Sequence, residues 1–163
     1  MLSVLLIQII QLLHLSEPAQ LVPINVKPLT VCEILADLAK YRGNVIQVRD
    51  EWLGTSLYGR DCAPPQTGDY VWEPAIWLIE PGSLILEKEG TPASWKLDQR
   101  AYDQATRELW QKKTVSATFI GRLDARSEGL QTSRGVGNGY GQLGRFPAQL
   151  VIVTVKDVSE KRR

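Results

Sequence analysis

The stretch TVCEILADLAKYRGNVIQVRD, residues 30–50, decides how the rest of the chain is read. Thr30 and Glu33 have the spacing of a reciprocal helix cap, in which hydroxyl and carboxylate each satisfy a free backbone N–H of the first turn. Val31, Ile34, Leu35 and Leu38 then follow one helical face. Gly43 comes just after Tyr41 and Arg42 and stops the helix. From Asn44 to Val48 the pattern switches to extended and β-branched. The expectation is a helix over 30–41 and a strand over 44–53, with no slack between them.

Toward the C-terminus, Gly54 opens a turn and 56–60 reads as a short second strand. Residues 63–68, APPQTG, are a loop by composition. AIWLIE, residues 75–80, is a compact apolar strand ended by Pro81-Gly82, and 84–88 reads as one more short strand. Across 96–113, Leu97, Ala101, Ala105 and Leu109 recur every four residues, with Tyr102 and Trp110 beside them, as in a helix. Residues 114–126 alternate, with Val115, Ala117, Phe119, Gly121 and Leu123 on one side. A long glycine-rich loop, 127–147, leads to a β-branched last strand over 148–158. There is no internal repeat.

The order is a helix, three or four strands, a second helix and two strands. In that order the chain resembles small, mostly uncharacterised bacterial exported proteins of OB-like fold, related to the tRNA-anticodon-binding-like OB group. VCEILADLAKYRGNVIQVR, AIWLIE, and ATFIGRLDAR followed by GYGQLGRFPAQLVIVTVKDV carry the resemblance. It implies a mainly β domain over 30–158. Its core is a five- or six-stranded OB-like barrel, with an N-terminal helix and a helix between strands three and four. Trp110 is expected to cap the bottom of that barrel. The family pattern has glycine where Asp50 stands, which would suit a bulge that bends the first strand.

Toward the N-terminus, Met1 to Leu15 is almost wholly apolar, too short for the roughly 20 residues of a membrane span. It fits the apolar core of a signal peptide, although no Lys or Arg precedes it and Glu17 sits near the exit. Residues 1–20 are read as this signal-like segment, 21–29 as a lead-in and 159–163 as a charged tail. No transmembrane anchor is expected. Export suits the two cysteines, Cys32 and Cys62, as one disulfide. Two buried free thiols are the alternative.

The net charge of +1 points to no polyanionic partner. Acids dominate residues 50–89 and bases dominate 100–145, which reads as two solvated faces. The chemistry of catalysis is sparse. The only histidine, His14, lies in the signal-like segment, so a nucleophile triad has no base. Four metal ligands of the zinc type are not available. The cluster GVGNGYGQLG leads into a strand rather than a helix, so it is no dinucleotide fingerprint. A metal-dependent hydrolase or nuclease would need Asp50, Glu51, Asp61, Asp69 and Asp124 to converge. No catalytic residue, metal or cofactor is assigned.

OB barrels bind oligonucleotides or oligosaccharides across strands two and three. Stacking aromatics and basic residues are the recognition chemistry for a single strand. Trp52, Tyr58, Trp72 and Trp77 lie on or near the expected face, and Arg126, Arg134, Tyr140 and Arg145 in or beside the last hairpin loop. Of these, Trp52, Tyr58, Trp77, Arg126, Tyr140 and Arg145 are the candidate ligand-binding residues. Burial is the competing role, with Trp77 in or half in the core and Trp52 under a loop. The expected function is a non-enzymatic exported domain with a binding or structural role. A module for single-stranded nucleic acid or oligosaccharide is the alternative, and local acidity does not support nucleic acid.

Overall fold

The computed structural model describes residues 27–81, 83, 95–112 and 114–160. The signal-like segment, most of the lead-in, the strand expected over 84–88 and the end of the tail lie outside the described residues.

The capping box forms as expected. Thr30 N donates to Glu33 Oε2 at 2.7 Å and Glu33 N donates to Thr30 Oγ1 at 3.2 Å. The single helix expected over 30–41 is instead two short ones, α1 (Val31–Ala36) and α2 (Leu38–Tyr41). Asp37 divides them, because its carboxylate caps the second helix by accepting from Lys40 N. Gly43 then ties the turn to the barrel through its N–H, 2.7 Å from Leu123 O.

Strands β1 (Val45–Trp52), β2 (Ser56–Tyr58), β5 (Ala75–Ile79), β6 (Val115–Ala125) and β9 (Ala148–Glu160) close a barrel in the order β1-β2-β5-β9-β6. Every pairing is antiparallel except β5 with β9, which is parallel. A parallel pair needs a long crossover. Here the chain leaves β5, forms α3 (Gln99–Gln111) and traverses β6 before returning as β9. The expected loops contain small ladders: β3 (Gln66–Thr67) with β4 (Tyr70–Val71), and β7 (Thr132–Ser133) with β8 (Val136–Gly137).

Alternation sets the barrel interior. Ile46, Val48, Leu57, Ile76, Val115, Ala117, Phe119, Leu123, Leu150 and Ile152 point inward and are buried. Leu97, Ala101, Ala105 and Leu109 bring α3 against this core. Trp110 does not cap the barrel: it is 83% exposed, because it falls off the stripe that those residues form.

Asp50 makes no bulge. All eight residues of β1 pair in unbroken register with β6, and the irregularities fall between β6 and β9 instead. Gly121 is at one of them. A Cβ there would stand 2.2 Å from Val151 O, so only glycine lets the strands approach this closely. The Asp50 carboxylate has another task. Its Oδ2 accepts from Val31 N at 3.1 Å and its Oδ1 from Glu51 N at 2.9 Å, which holds the start of α1 on the first strand. Among the described residues, no helix is long and apolar enough to cross a membrane.

Candidate ligand-binding face

The outer face of the barrel over β2 and β5 gathers most of the residues singled out from the sequence. Register places them there. Tyr58 stands between Glu51 and Ala75, and Ser56 is opposite Trp77. Trp77 is in turn level with Gln149 on β9, and Gln149 with Asp124 on β6. These residues alternate with the inward ones, so they share the outside of the wall.

The hairpin over 126–147 folds onto this face. Phe146 stacks on Trp77 with ring centres 4.9 Å apart, tilted by 48°. Ala75, Tyr140 and Phe146 form a small buried cluster against Tyr58 and Trp77. Tyr140 and Phe146 exchange backbone hydrogen bonds at 2.8 and 3.1 Å. The glycines make the fit. A Cβ on Gly139 would meet Phe146 O at 2.1 Å, and one on Gly137 would meet the Trp72 ring at 2.5 Å. The expected glycine-rich loop is thus a packed cover, and Trp72 lies beneath it, 1% exposed.

Polar pairs edge the cluster. Tyr58 Oη donates to Glu73 Oε2 at 2.7 Å, and Arg145 pairs with the other oxygen of Glu73. Burial first, and then the bond to Glu73, hold the Tyr58 hydroxyl above its ordinary pKa, so it keeps its proton at neutral pH. Arg60 grips Glu51 with Nε and Nη2, both at 2.5 Å, and Glu51 is buried. Arg126 donates to Asn138 O at 2.7 Å and lies over the Tyr140 ring, 4.5 Å from its centre. It organises the hairpin from within.

Five of the six candidates therefore sit together: Tyr58, Trp77, Arg126, Tyr140 and Arg145. Trp52 does not join them. It is 1% exposed inside the barrel, 5.1 Å from the Phe119 ring, and its indole N–H donates to Gly54 O. Trp72 is covered, and Arg134 is exposed in the tight β7–β8 turn with φ of 53°.

Sequence reasoning did not single out Glu73, Phe146 and Gln149 as site residues. Glu73 carries no local signal, since its partners stand 15 and 72 positions away. Gln149 was legible as a lone amide in an apolar strand. It is 1% exposed, and its Nε2 donates to Asp124 Oδ2 at 3.3 Å. Its Oε1 finds no donor among the described residues. Asp124 also accepts from Arg122 at 2.8 and 3.2 Å, and Arg122 lies 5.7 Å from the centre of the Trp95 ring.

The five acids of a metal-centre reading go separate ways. Asp50 holds α1, Glu51 pairs with Arg60, Asp124 pairs with Arg122, and Asp61 and Asp69 are exposed. Among the described residues, no three ligating side chains come together. Cys32 and Cys62 are free thiols, but both face Gly59. A Cβ on that residue would lie 2.6 Å from Cys62 Sγ and 3.1 Å from Cys32 Sγ. Burial, with Cys32 alongside, pushes the Cys62 thiol up to about 12.

Compared with known proteins, the chain matches no family model, no curated protein and no solved structure.

Proposed function

We propose that the chain is a non-enzymatic binding module of OB-like fold, with its ligand face on the outside of β2 and β5 beside the covering hairpin. The fold assignment is supported by the barrel order, by the parallel β5–β9 pair and by α3 between the third and fourth barrel strands. The observation that carries the binding reading is the cluster of Tyr58, Glu73, Trp77, Arg145 and Phe146. It combines half-buried aromatic rings with held polar groups at their edge. Titration with oligosaccharides and single-stranded oligonucleotides, followed by amide chemical shifts, tests it. The expected shifts centre on 56–58, 73–79 and 139–149. Shifts confined to another part of the barrel would sink the assignment of this face.

Export is part of the same reading, supported by the apolar run from Met1 to Leu15. Passage to an oxidising compartment would join Cys32 to Cys62, because both sulfurs already face Gly59. Expression with fractionation and intact-mass measurement tests both points. The expected product is periplasmic, shortened at its N-terminus, and lacks the two thiol hydrogens. A full-length cytosolic product with two titratable thiols would defeat the proposal.

A further inference from the structure

A cleft of about 210 Å³ opens where α2 meets the end of β6, and neither Tyr58 nor Trp77 lines it. Leu38 and Ala39 of α2 and Arg42, which ends that helix, line it together with Ala125, Arg126 and Leu130. The lining is mainly apolar. Packing stops short here: α2 fully buries none of its residues, and Leu38 stays half-buried although it touches the barrel core. Both walls are fastened. Gly43 N donates to Leu123 O at 2.7 Å and Leu123 N to Asn44 O at 3.0 Å, which ties the end of α2 to β6. On the other wall, Asn138 Nδ2 donates to Gly129 O at 3.0 Å and Asn138 Oδ1 accepts from Gln131 N at 2.9 Å, so Leu130 is fixed from both sides. A cleft between fastened walls asks little ordering of the protein when a ligand enters.

Two arginines come to this cleft, in different states. Arg126 is engaged by Asn138 O and the Tyr140 ring. The Arg42 side chain is exposed and has no hydrogen bond or ion pair among the described residues. Glu128 lies within electrostatic reach of Arg42, but its Oε2 accepts from Ser127 Oγ at 3.1 Å and does not pair with Arg42. Apolar walls hold water poorly and gain from an aliphatic or aromatic group. A cavity of about 150 Å³ with such walls takes a benzene ring, so this one has room for a ring and a short arm. The open guanidinium gains from a carboxylate, whose two oxygens match its parallel N–H groups.

We infer that the cleft is a second binding site, for a small amphipathic carboxylate. Its aromatic or branched aliphatic end lies among Leu38, Ala39, Ala125 and Leu130, and its carboxylate meets Arg42. The site is separate from the β2–β5 face, so neither reading depends on the other. Glu128 opposes an anion here, and that fixes the sign of one test: removing its charge should tighten binding.

The experiment is titration of the protein with 3-phenylpropionate and with its neutral amide, followed by amide chemical shifts at low and high salt. The acid is expected to shift 38–43 and 125–131 and to bind more weakly at high salt. Arg42→Gln should weaken it roughly two- to fivefold, as loss of an exposed ion pair does, and Glu128→Gln should strengthen it. The amide should bind the wild type no better than the acid binds Arg42→Gln. Ala39→Phe fills the cleft from an exposed position and should abolish the shifts while the inner strands keep theirs. Equal binding of acid and amide, indifferent to Arg42→Gln, would overturn the ligand class and the proposal with it. Shifts confined to 56–58 and 73–79 would assign the acid to the β2–β5 face and overturn this site. Binding that survives Ala39→Phe, or no shift at millimolar acid, would overturn it as well.

Discussion

Trp52 on β1 and Trp77 on β5 are separated by a single strand of the barrel wall. Trp52 is level with Leu57, and Leu57 with Ile76, so Trp77 stands one residue out of step. That one residue sends it to the opposite face. Trp52 became core against Phe119 and Tyr102. Trp77 became a half-buried ring on the outer wall, packed against a hairpin that returns from far along the chain. The inside of this barrel is built by alternation, and any large apolar side chain of the right parity serves it. The outside is built by particular partners, and only those partners make it a candidate site.

Five substitutions and one titration test that contrast. The largest effect belongs to the inside. Phe119→Ala should destabilise the protein by about 3–5 kcal/mol, since it removes a buried ring and leaves a cavity beside Trp52. A urea melt measures this, and a loss below about 1 kcal/mol would show a core far looser than its burial implies. Gly139→Ala comes next, on the outside. Its Cβ would collide with Phe146 O, so about 1–3 kcal/mol is expected. Hydrogen exchange should quicken over the hairpin while the inner strands stay protected, and uniform quickening would show that cover and barrel are one cooperative unit.

Thr30→Ala should cost about 1 kcal/mol through loss of the α1 cap. If Asp50 supports the same helix end, Asp50→Asn should lose less than Thr30→Ala, because an amide oxygen still accepts from Val31. Arg145→Ala should change stability by less than about 1 kcal/mol, as exposed pairs do. A much greater loss would mean that the hairpin is pinned by this contact rather than by Phe146 and the glycines.

The smallest effect at neutral pH is that of Cys62. Its folded thiol is raised from the ordinary 9.0 to about 12 by burial and by Cys32. In the reduced protein, the unfolded chain gives up this proton first as pH rises. The stabilisation is therefore complete below pH 9 and is lost progressively between pH 9 and 12. Thermal melts across that range should fall more steeply for the wild type than for Cys62→Ala. Parallel curves would remove the thiol as the cause.

Much of this was legible in the residues themselves. The capping box of Thr30 and Glu33, the stop at Gly43 and the alternation of Val115, Ala117, Phe119 and Leu123 appeared where local rules put them. Such features involve neighbours within a few positions, so the chain carries them in its order. The misreadings share one cause. Asp37 looks like a helical residue until its carboxylate caps the following turn, and Asp50 looks like a misplaced bulge until α1 arrives beside it. The glycines of 135–144 look like slack until Trp72 and Phe146 press against them.

The amino-acid order by itself determined the five barrel strands, α3, their apolar faces and the inward parity of the strands. These rest on short-range geometry and on the period of each element. Only the tertiary structure decided which aromatic became core and which became surface. It also decided that Arg60, Arg122 and Arg145 near the candidate face carry their own carboxylates, and that two thiols 30 residues apart in sequence share one glycine. Those outcomes depend on the closure of the barrel, which brings together groups that nothing in their local sequence marks as neighbours.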